Sequence, residues 1–180
     1  MELIKTQIEG LVILKPRIFY DERGYFFESY NYNTFKSLGI PDVFVQDNQS
    51  CSQKNVIRGL HFQNPPFAQA KLVRVIQGSV IDVAVDIRKD SPTYGQHHTV
   101  LLSAENQLQF FLPIGFAHGF VALEENTIFT YKCSDFYNKD AEGTIRFDDS
   151  TLDIDWKTEN PVVNEKDRKS VSFSDFISMF

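Results

Sequence analysis

Short apolar runs separated by turn residues recur along most of the chain. The runs are four to eight residues long and rich in β-branched and aromatic side chains, which is typical of an all-β protein. They predict about ten strands, Leu11–Leu14, Tyr25–Tyr30, Val43–Gln46, Val56–Leu60, Leu72–Gln77, Val80–Ile87, Thr99–Leu102, Leu108–Leu112, Phe116–Leu123 and Thr127–Lys132. Such a fold buries its apolar residues between sheets.

The segment Val80–Ile87 shows the clearest alternation of side chains. Every second residue from Ile81 to Ile87 is a large aliphatic one, whereas the positions between them include Asp82 and Asp86. Because successive side chains of a strand point to opposite faces, this strand has one strongly apolar face and one mixed face. We expect the mixed face to line a cavity.

Helices are expected only at the margins of this pattern. The segment Asn31–Leu38 begins with a favourable N-cap residue and is followed by Gly39, so it predicts one short helix, and the tail from Ser174 predicts another. No linker or repeat interrupts the chain. The sequence therefore predicts one domain, residues 1–180, built as a jelly-roll β-barrel or sandwich with short flanking helices.

Composition narrows the class of protein. Of the 180 residues, 42% are hydrophobic and 23% charged, which excludes a disordered chain. The net charge is −6 and no basic run is present, which argues against nucleic acid as a partner. Neither a signal-peptide pattern nor an apolar stretch of membrane-spanning length occurs. We expect no membrane partner and a cytoplasmic location.

The two cysteines, Cys51 and Cys133, are isolated from each other in the sequence. Two such residues in an acidic chain of this length are more often reduced core thiols than a disulfide. We therefore expect both to be reduced and buried.

The run Pro113–His118 has the form P-x-G-x-x-H and resembles the second motif of the cupin barrels. The first cupin motif supplies two His and one Glu as metal ligands. Here His61 is followed two residues on by Gln63, and Lys71 occupies the Glu position, seven residues before Gly78. An ammonium offers no lone pair and repels a divalent ion. The sequence therefore predicts no metal and no cofactor.

Lys71 suggests a chemistry that does not need a metal. An ammonium inside a pocket of low dielectric constant stabilises an oxyanion, such as an enolate, as it forms. Most lysines are solvated, but Val73 and Val75 share the predicted strand face of Lys71. This arrangement favours a buried position for the ammonium.

His61 is the best candidate for a general base, because imidazole titrates near neutral pH. Strict alternation places Arg58 and His61 on opposite faces of their strand. A bulge at Gly59, between them, brings both side chains into one cavity.

Two further residues have a structural and a functional interpretation. Tyr131 follows Thr127 and Phe129 on one strand face, and from spacing alone it is a core ring rather than an acid catalyst. Arg23 lies in the charged run Asp21–Gly24, which is typical of a turn, and its guanidinium is also suited to bind a phosphate.

Several segments together resemble one known family, the dTDP-4-dehydrorhamnose 3,5-epimerases. The resemblance runs through nearly the whole chain in family order. It is carried by Asp21–Gly24, Gln46–Asn48, Val56–Gln63, Gln69–Val75, Asp82–Arg88, Gly115–Phe120, Tyr131–Lys132 and Lys166–Asp167.

The resemblance implies a metal-free cupin jelly roll, a homodimer, that acts on a dTDP-4-keto-6-deoxy sugar in dTDP-rhamnose biosynthesis. It makes His61 the base, Asp167 its orienting partner, Lys71 the cation at the carbon-4 oxygen and Tyr131 the acid on the opposite face of the sugar. Tyr137 matches the ring that stacks on thymine. The other implied nucleotide and substrate contacts are Arg23, Glu28, Gln46, Asp47, Asn48, Arg58, Lys71, His118, Glu142 and Lys166.

The sequence departs from the family pattern at a few positions. Phe147 stands where a Trp is common, Asn164 stands where a Ser is common, and the proline usual after Trp156 is missing. Related sugar-nucleotide cupins invert one carbon only or shift the keto group. These remain alternatives, together with a non-catalytic cupin that binds a nucleotide sugar.

Overall fold

The computed structural model describes all 180 residues as an antiparallel β structure with few helical residues. Two sheets face each other in a cupin-type jelly roll, which confirms the predicted fold class. The six-stranded sheet has the order β1-β2-β10-β7-β12-β5 and the five-stranded sheet the order β13-β6-β11-β8-β9, while β3 and β4 form a separate hairpin. The strands are β1 Glu2–Lys5, β2 Val12–Lys15, β3 Phe19–Asp21, β4 Gly24–Phe26, β5 Gln46–Ser52, β6 Ile57–Gln63, β7 Lys71–Gln77, β8 Ser79–Asp86, β9 His97–Ser103, β10 Gln109–Leu112, β11 Phe116–Ala122, β12 Thr127–Cys133 and β13 Glu142–Thr144.

The alternation along β8 separates two apolar clusters. Val80 and Ala84 lie between the two sheets and pack with residues of the opposite sheet, such as Val73 and Phe110. Val83 and its neighbours on the other face join a second cluster, outside the sandwich, that the C-terminal part of the chain covers. The mixed face points between the sheets, but its side chains do not line the cavity described below, so that expectation is wrong.

The predicted first helix is present as α1, Tyr32–Ser37. The Asn31 side chain accepts the backbone N–H groups of Asn33 and Thr34, which caps the helix. Phe35 is fully buried against the outer face of the six-stranded sheet. No helix in the chain is long and apolar enough to cross a membrane.

The helix predicted from Ser174 is wrong. The tail instead runs along the five-stranded sheet, where Phe176 and Phe180 pack edge-on against Phe62 at ring-centroid distances of 5.3 and 6.2 Å. The aromatic residues of the tail are buried against the sheet, so no helix is needed to bury them. The second helix, α2, lies earlier, at Glu165–Arg168.

Two predicted strands differ most from the structure. The strand expected at Val43–Gln46 is wrong, because Val43–Val45 form no strand and β5 begins at Gln46 and runs to Ser52, and the strand expected at Tyr25–Tyr30 ends at Phe26. The side chains of β5 are almost all polar on both faces, so apolar alternation gives no sign of it. The predicted turn at Asp21–Gly24 is confirmed as the turn of the β3–β4 hairpin.

Candidate active site

A bulge in β6 brings two predicted site residues to the same face. On the neighbouring strand β11, His118 pairs with His61 and Phe120 with Arg58, and the register shifts between them. Gly59 lies in the bulge with φ of +140°, and a Cβ there would stand 2.5 Å from the Cα of Gly119. Only glycine tolerates both the angle and the close approach. The bulge predicted at Gly59 is confirmed.

His61 and Asp167 form a pair at the wall of the cavity. Nε2 of His61 lies 2.7 Å from Oδ1 of Asp167, whose side chain is completely buried, and Oδ2 accepts the N–H of Gly59 at 3.3 Å. Asn164 caps α2 and accepts the N–H of Asp167, which fixes the carboxyl group in place. The Asn164 that departs from the family pattern thus performs an N-cap function.

The pair also determines which nitrogen of His61 is free. Burial on its own raises the pKa of Asp167, but the hydrogen bonds from His61 and Gly59 outweigh it and the pKa is lowered. The group is therefore a carboxylate at neutral pH and only accepts hydrogen bonds. Nε2 of His61 must therefore be the donor of this hydrogen bond, and in the neutral imidazole Nδ1 keeps the lone pair for proton abstraction.

Lys71 points between the sheets with Val73 and Val75, as the sequence predicts. Its Nζ donates to the carbonyl oxygen of His61 at 3.4 Å and lies 6.0 Å from the ring centroid of Tyr131. Burial lowers the pKa of Lys71, and the charges of Cys133, Asp82 and Glu142 oppose the shift. The ammonium is thus poorly solvated, the condition in which it interacts most strongly with an oxyanion.

Tyr131 lies on β12, in the wall opposite His61. Its ring is 6.2 Å from that of Phe129, within the core, but the residue also lines the cavity. Burial raises the pKa of Tyr131, so the phenol keeps its proton at neutral pH. The side chain is therefore a core ring that also presents a proton donor.

These groups converge on one cavity of about 300 Å³. It opens between the two sheets and is mostly polar. Its lining residues are Gln46, Asn48, His61, Phe62, Gln63, Gln69, Lys71, Tyr131, Cys133, Tyr137 and Glu142. The structure thus brings together an imidazole, an ammonium and a phenol.

A second group of polar side chains lies at the mouth of the cavity. Oε2 of Glu142 accepts Nζ of Lys166 at 2.5 Å and the hydroxyl of Tyr137 at 3.0 Å. Burial raises the pKa of Glu142, but these bonds outweigh it and the pKa is lowered. The Tyr137 ring is 56% exposed, so one of its faces is available to a ligand.

Several predicted contacts do not line this cavity. Arg23 is 83% exposed and pairs only with Asp21, and Glu28 accepts from the Asn31 side chain. Asp47 lies on the outer face of β5 and pairs with Lys132 at 2.7 Å. The roles of Arg23, Glu28 and Asp47 remain predictions.

Arg58 and His118 lie on the cavity face of their strands. Arg58 is exposed to one side of the cavity, and His118 is buried below it. Nε of Arg58 donates to the Ser52 hydroxyl at 3.1 Å. Nε2 of His118 is 3.0 Å from both carboxylate oxygens of the fully buried Asp82, and burial lowers the pKa of His118. Neither side chain lines the cavity, so the expectation that the bulge brings Arg58 into it is wrong. The substrate contacts of Arg58 and His118 remain predictions.

The sequence pattern does not indicate Gln69 or Cys133 as site residues, although both line the cavity. Cys133 is buried beside Asn48, and both cysteines are free thiols. The expectation of a buried thiol is wrong for Cys51, which is exposed on the outer face of β5. Only the alternation along β12, which puts Cys133 on the face of Tyr131, could have placed it.

The donor set of the cavity does not match a metal centre. No three His, Cys, Asp or Glu side chains converge anywhere in the chain. The cavity of this jelly roll combines a carboxylate-paired imidazole, a buried ammonium and a phenol. This combination defines a cupin-type isomerase, which moves protons beside a carbonyl group.

Comparison with known proteins identifies the family. The family model described as dTDP-4-dehydrorhamnose 3,5-epimerase matches residues 5–175. The chain belongs to the dTDP-4-dehydrorhamnose 3,5-epimerase family and is an isomerase of dTDP-rhamnose biosynthesis.

The relatives match over nearly their whole length. The dTDP-4-dehydrorhamnose 3,5-epimerase of Salmonella typhimurium is 53% identical over 169 residues, which cover 93% of this chain and 92% of that protein. The crystal structure of the Elizabethkingia anophelis enzyme is 50% identical with a TM-score of 0.93 and 97% coverage of both chains. The Legionella pneumophila enzyme, solved with dTDP-4-keto-L-rhamnose, is 47% identical with a TM-score of 0.94 and covers 98% of this chain and 94% of its own.

Proposed function

We propose that this epimerase inverts carbons 3 and 5 of dTDP-4-dehydro-6-deoxy-D-glucose and so forms dTDP-4-dehydro-L-rhamnose. Both carbons flank the carbon-4 ketone. Loss of a proton from either carbon therefore leaves the negative charge on the same oxygen. One cavity with one cation can serve both inversions.

The observation that supports this reaction best is the placement of His61 and Tyr131 in opposite walls. His61 belongs to the five-stranded sheet and Tyr131 to the six-stranded sheet, and both line the same cavity. Inversion of a carbon requires that a proton leave from one face and arrive at the other. A base and an acid in facing sheets bracket the sugar ring in this way.

In this mechanism Nδ1 of His61 removes the proton while Asp167 holds the imidazole and stabilises its charged form. The electron pair of the broken C–H bond moves into the enolate, whose oxygen faces the Lys71 ammonium. Removing one such stabilising group costs roughly 10²- to 10³-fold in rate in other enzymes. Tyr131 then delivers a proton to the opposite face of the carbon.

The mouth of the cavity suits the nucleotide. The Tyr137 ring stacks on thymine, and Gln46, Asn48, Glu142 and Lys166 form polar contacts around it. Arg58 binds the diphosphate, and His118 lies behind the sugar. The diphosphate is anionic and the chain carries a net charge of −6. Arginines near the diphosphate therefore bind it despite the repulsion from the net negative charge of the chain. The guanidinium group is suited to this because it makes bidentate contacts with a phosphate.

The assembly we propose is a homodimer, and the β3–β4 hairpin supports it. Phe19, Tyr20, Tyr25 and Phe26 are each more than half exposed there, a cluster that monomers rarely leave in water. Arg23 lies at the tip of the same hairpin, outside the cavity of its own chain. A second copy that covers the aromatic residues places Arg23 and Glu28 near the neighbouring cavity.

Co-expression of two inactive chains tests this arrangement. We expect Arg23→Ala and His61→Ala homodimers to be nearly inactive at low substrate concentration. A mixed dimer regains one working site, because the Arg23→Ala chain supplies His61 and its partner supplies Arg23. Activity measured on the purified mixed dimer that stays at the level of the homodimers would contradict the exchange of hairpins.

The reaction itself is tested by proton NMR of dTDP-4-dehydro-6-deoxy-D-glucose incubated with the protein in deuterium oxide. Deuterium at carbons 3 and 5 together with the doubly inverted sugar is expected. Inversion and exchange at one carbon would identify a single-position epimerase. Binding without exchange would identify a nucleotide-sugar-binding cupin.

We predict that activity persists in excess chelator. Lys71 occupies the position of the glutamate ligand of metal cupins, and its ammonium repels a divalent ion. Elemental analysis of the purified protein and a rate measurement in EDTA check this prediction. One tightly held ion per chain, with activity lost on its removal and regained on its return, would overturn it.

A further inference from the structure

Gln63 ends β6 two residues after His61, and its side chain is buried although no step of the reaction uses it. Its amide nitrogen donates to the carbonyl oxygens of Phe67 at 2.7 Å and Phe136 at 3.2 Å. Its amide oxygen accepts the backbone N–H of Asn138 at 2.8 Å. Both amide hydrogens are therefore engaged by backbone groups, and none is left to donate to a substrate.

The partners of Gln63 belong to two loops at the cavity mouth, residues 64–70 and residues 134–138. The same loops are joined again where Gln69 donates to the Asp135 carbonyl at 2.7 Å. Ala70 and Ser134 add two more hydrogen bonds between them. Because Gln63 is part of β6, it connects both loops to the strand that carries His61.

Tyr137 lies between two residues that Gln63 binds. Gln63 holds the carbonyl of the preceding Phe136 and the N–H of the following Asn138. The N–H of Tyr137 itself donates to Oε1 of Gln46 at 2.9 Å. The Tyr137 ring is more than half exposed, so core packing does not fix its position. The backbone bonds around it, together with the hydrogen bond from its hydroxyl to Glu142, decide where the ring stands.

We propose that Gln63 is a positioning residue that presents Tyr137 to the nucleobase of the substrate. The proposal deepens the proposed function and rests on it. In metal cupins the position of Gln63 holds a histidine ligand. In this chain an amide at that position binds backbone groups of two loops and connects the nucleotide end of the cavity to the catalytic strand.

Gln63→Glu is the most direct test. A carboxylate has nearly the same shape and still accepts the Asn138 N–H, but it cannot donate to Phe67 or Phe136. We expect the KM and the Kd for dTDP to rise by roughly tenfold together, while kcat stays within about twofold. Gln77→Glu, the same change at an exposed residue of β7, is the control and leaves all three values unchanged.

A double-mutant cycle separates positioning from general damage. Tyr137→Ala removes the ring, so Gln63→Glu in that background should weaken dTDP binding no further. Effects on the Kd that add up in the double variant would overturn the proposal. So would a Gln63→Glu variant that loses kcat and keeps its affinity for dTDP.

A second variant covers the case in which Gln63→Glu does not fold. Gln63→Met keeps the length of the side chain and removes only its hydrogen bonds, and it is compared with Gln77→Met in the same cycle. Because the Kd for dTDP is measured without turnover, failure of the Gln63 proposal can be told apart from failure of the proposed reaction. A wild-type protein that binds dTDP without epimerising the sugar would defeat the reaction and leave the result for Gln63 valid.

Discussion

His61→Ala is expected to abolish deuterium incorporation at carbons 3 and 5 alike, because one imidazole removes both protons. General base catalysis contributes roughly 10²- to 10⁴-fold to such reactions, and we expect a loss of that order at each carbon. Both exchange rates are followed by proton NMR in deuterium oxide. Exchange at either carbon that continues at nearly the wild-type rate would show that another base acts there.

The completely buried Asp167 is left without its partner in His61→Ala, so stability must be controlled. His61→Gln keeps an amide donor near the place of Nε2 and has no basic nitrogen. It should retain the melting temperature better and lose the same activity. Asp167→Ala should lose less activity than either, because it affects the orientation and basicity of His61 rather than the proton transfer itself. His97→Ala, on β9 and outside the cavity, should exchange like the wild type.

Tyr131→Phe is expected to separate proton removal from inversion. The variant keeps the ring and its packing against Phe129, so no large cavity forms. His61 still removes the proton and Lys71 still stabilises the enolate, but the donor on the opposite face is gone. The enolate is then reprotonated mainly from the His61 side. The expected product is the starting sugar with solvent deuterium in it.

Exchange and epimer formation are measured in the same sample to decide this point. Tyr94→Phe removes a half-buried phenol that does not line the cavity and serves as the control. Doubly inverted sugar produced by Tyr131→Phe at an undiminished rate would remove Tyr131 from the mechanism. It would then be the core ring that its strand spacing indicates.

The strands with apolar alternation were predictable from the sequence, and so were the site residues they carry. Lys71 could be placed in the interior because Val73 and Val75 share its strand face. The bulge at Gly59 was predictable because this glycine lies between Arg58 and His61, two polar residues that strict alternation would place on opposite faces of the strand. In both cases a local pattern determines the direction of a side chain.

Features that depend on distant contacts were not predictable in this way. The polar strand β5 forms because its backbone pairs with β12, and its own side chains give no apolar signal. The tail residues Phe176 and Phe180 have the spacing of a helix but pack against Phe62 in a non-helical path. Asp167 came only from the family resemblance, because nothing local indicates that α2 lies behind His61.

The His61–Asp167 pair joins residues that are 106 positions apart in the chain. During synthesis the imidazole leaves the ribosome long before the carboxylate that orients it. A chain released before α2 still contains the residues of the cavity, including Tyr137 and Lys71, but its base has no fixed tautomer. Such a chain also lacks Lys166 at the cavity mouth and the aromatic tail that packs against the five-stranded sheet. Turnover is therefore expected to begin only after α2 and the tail have been made and packed.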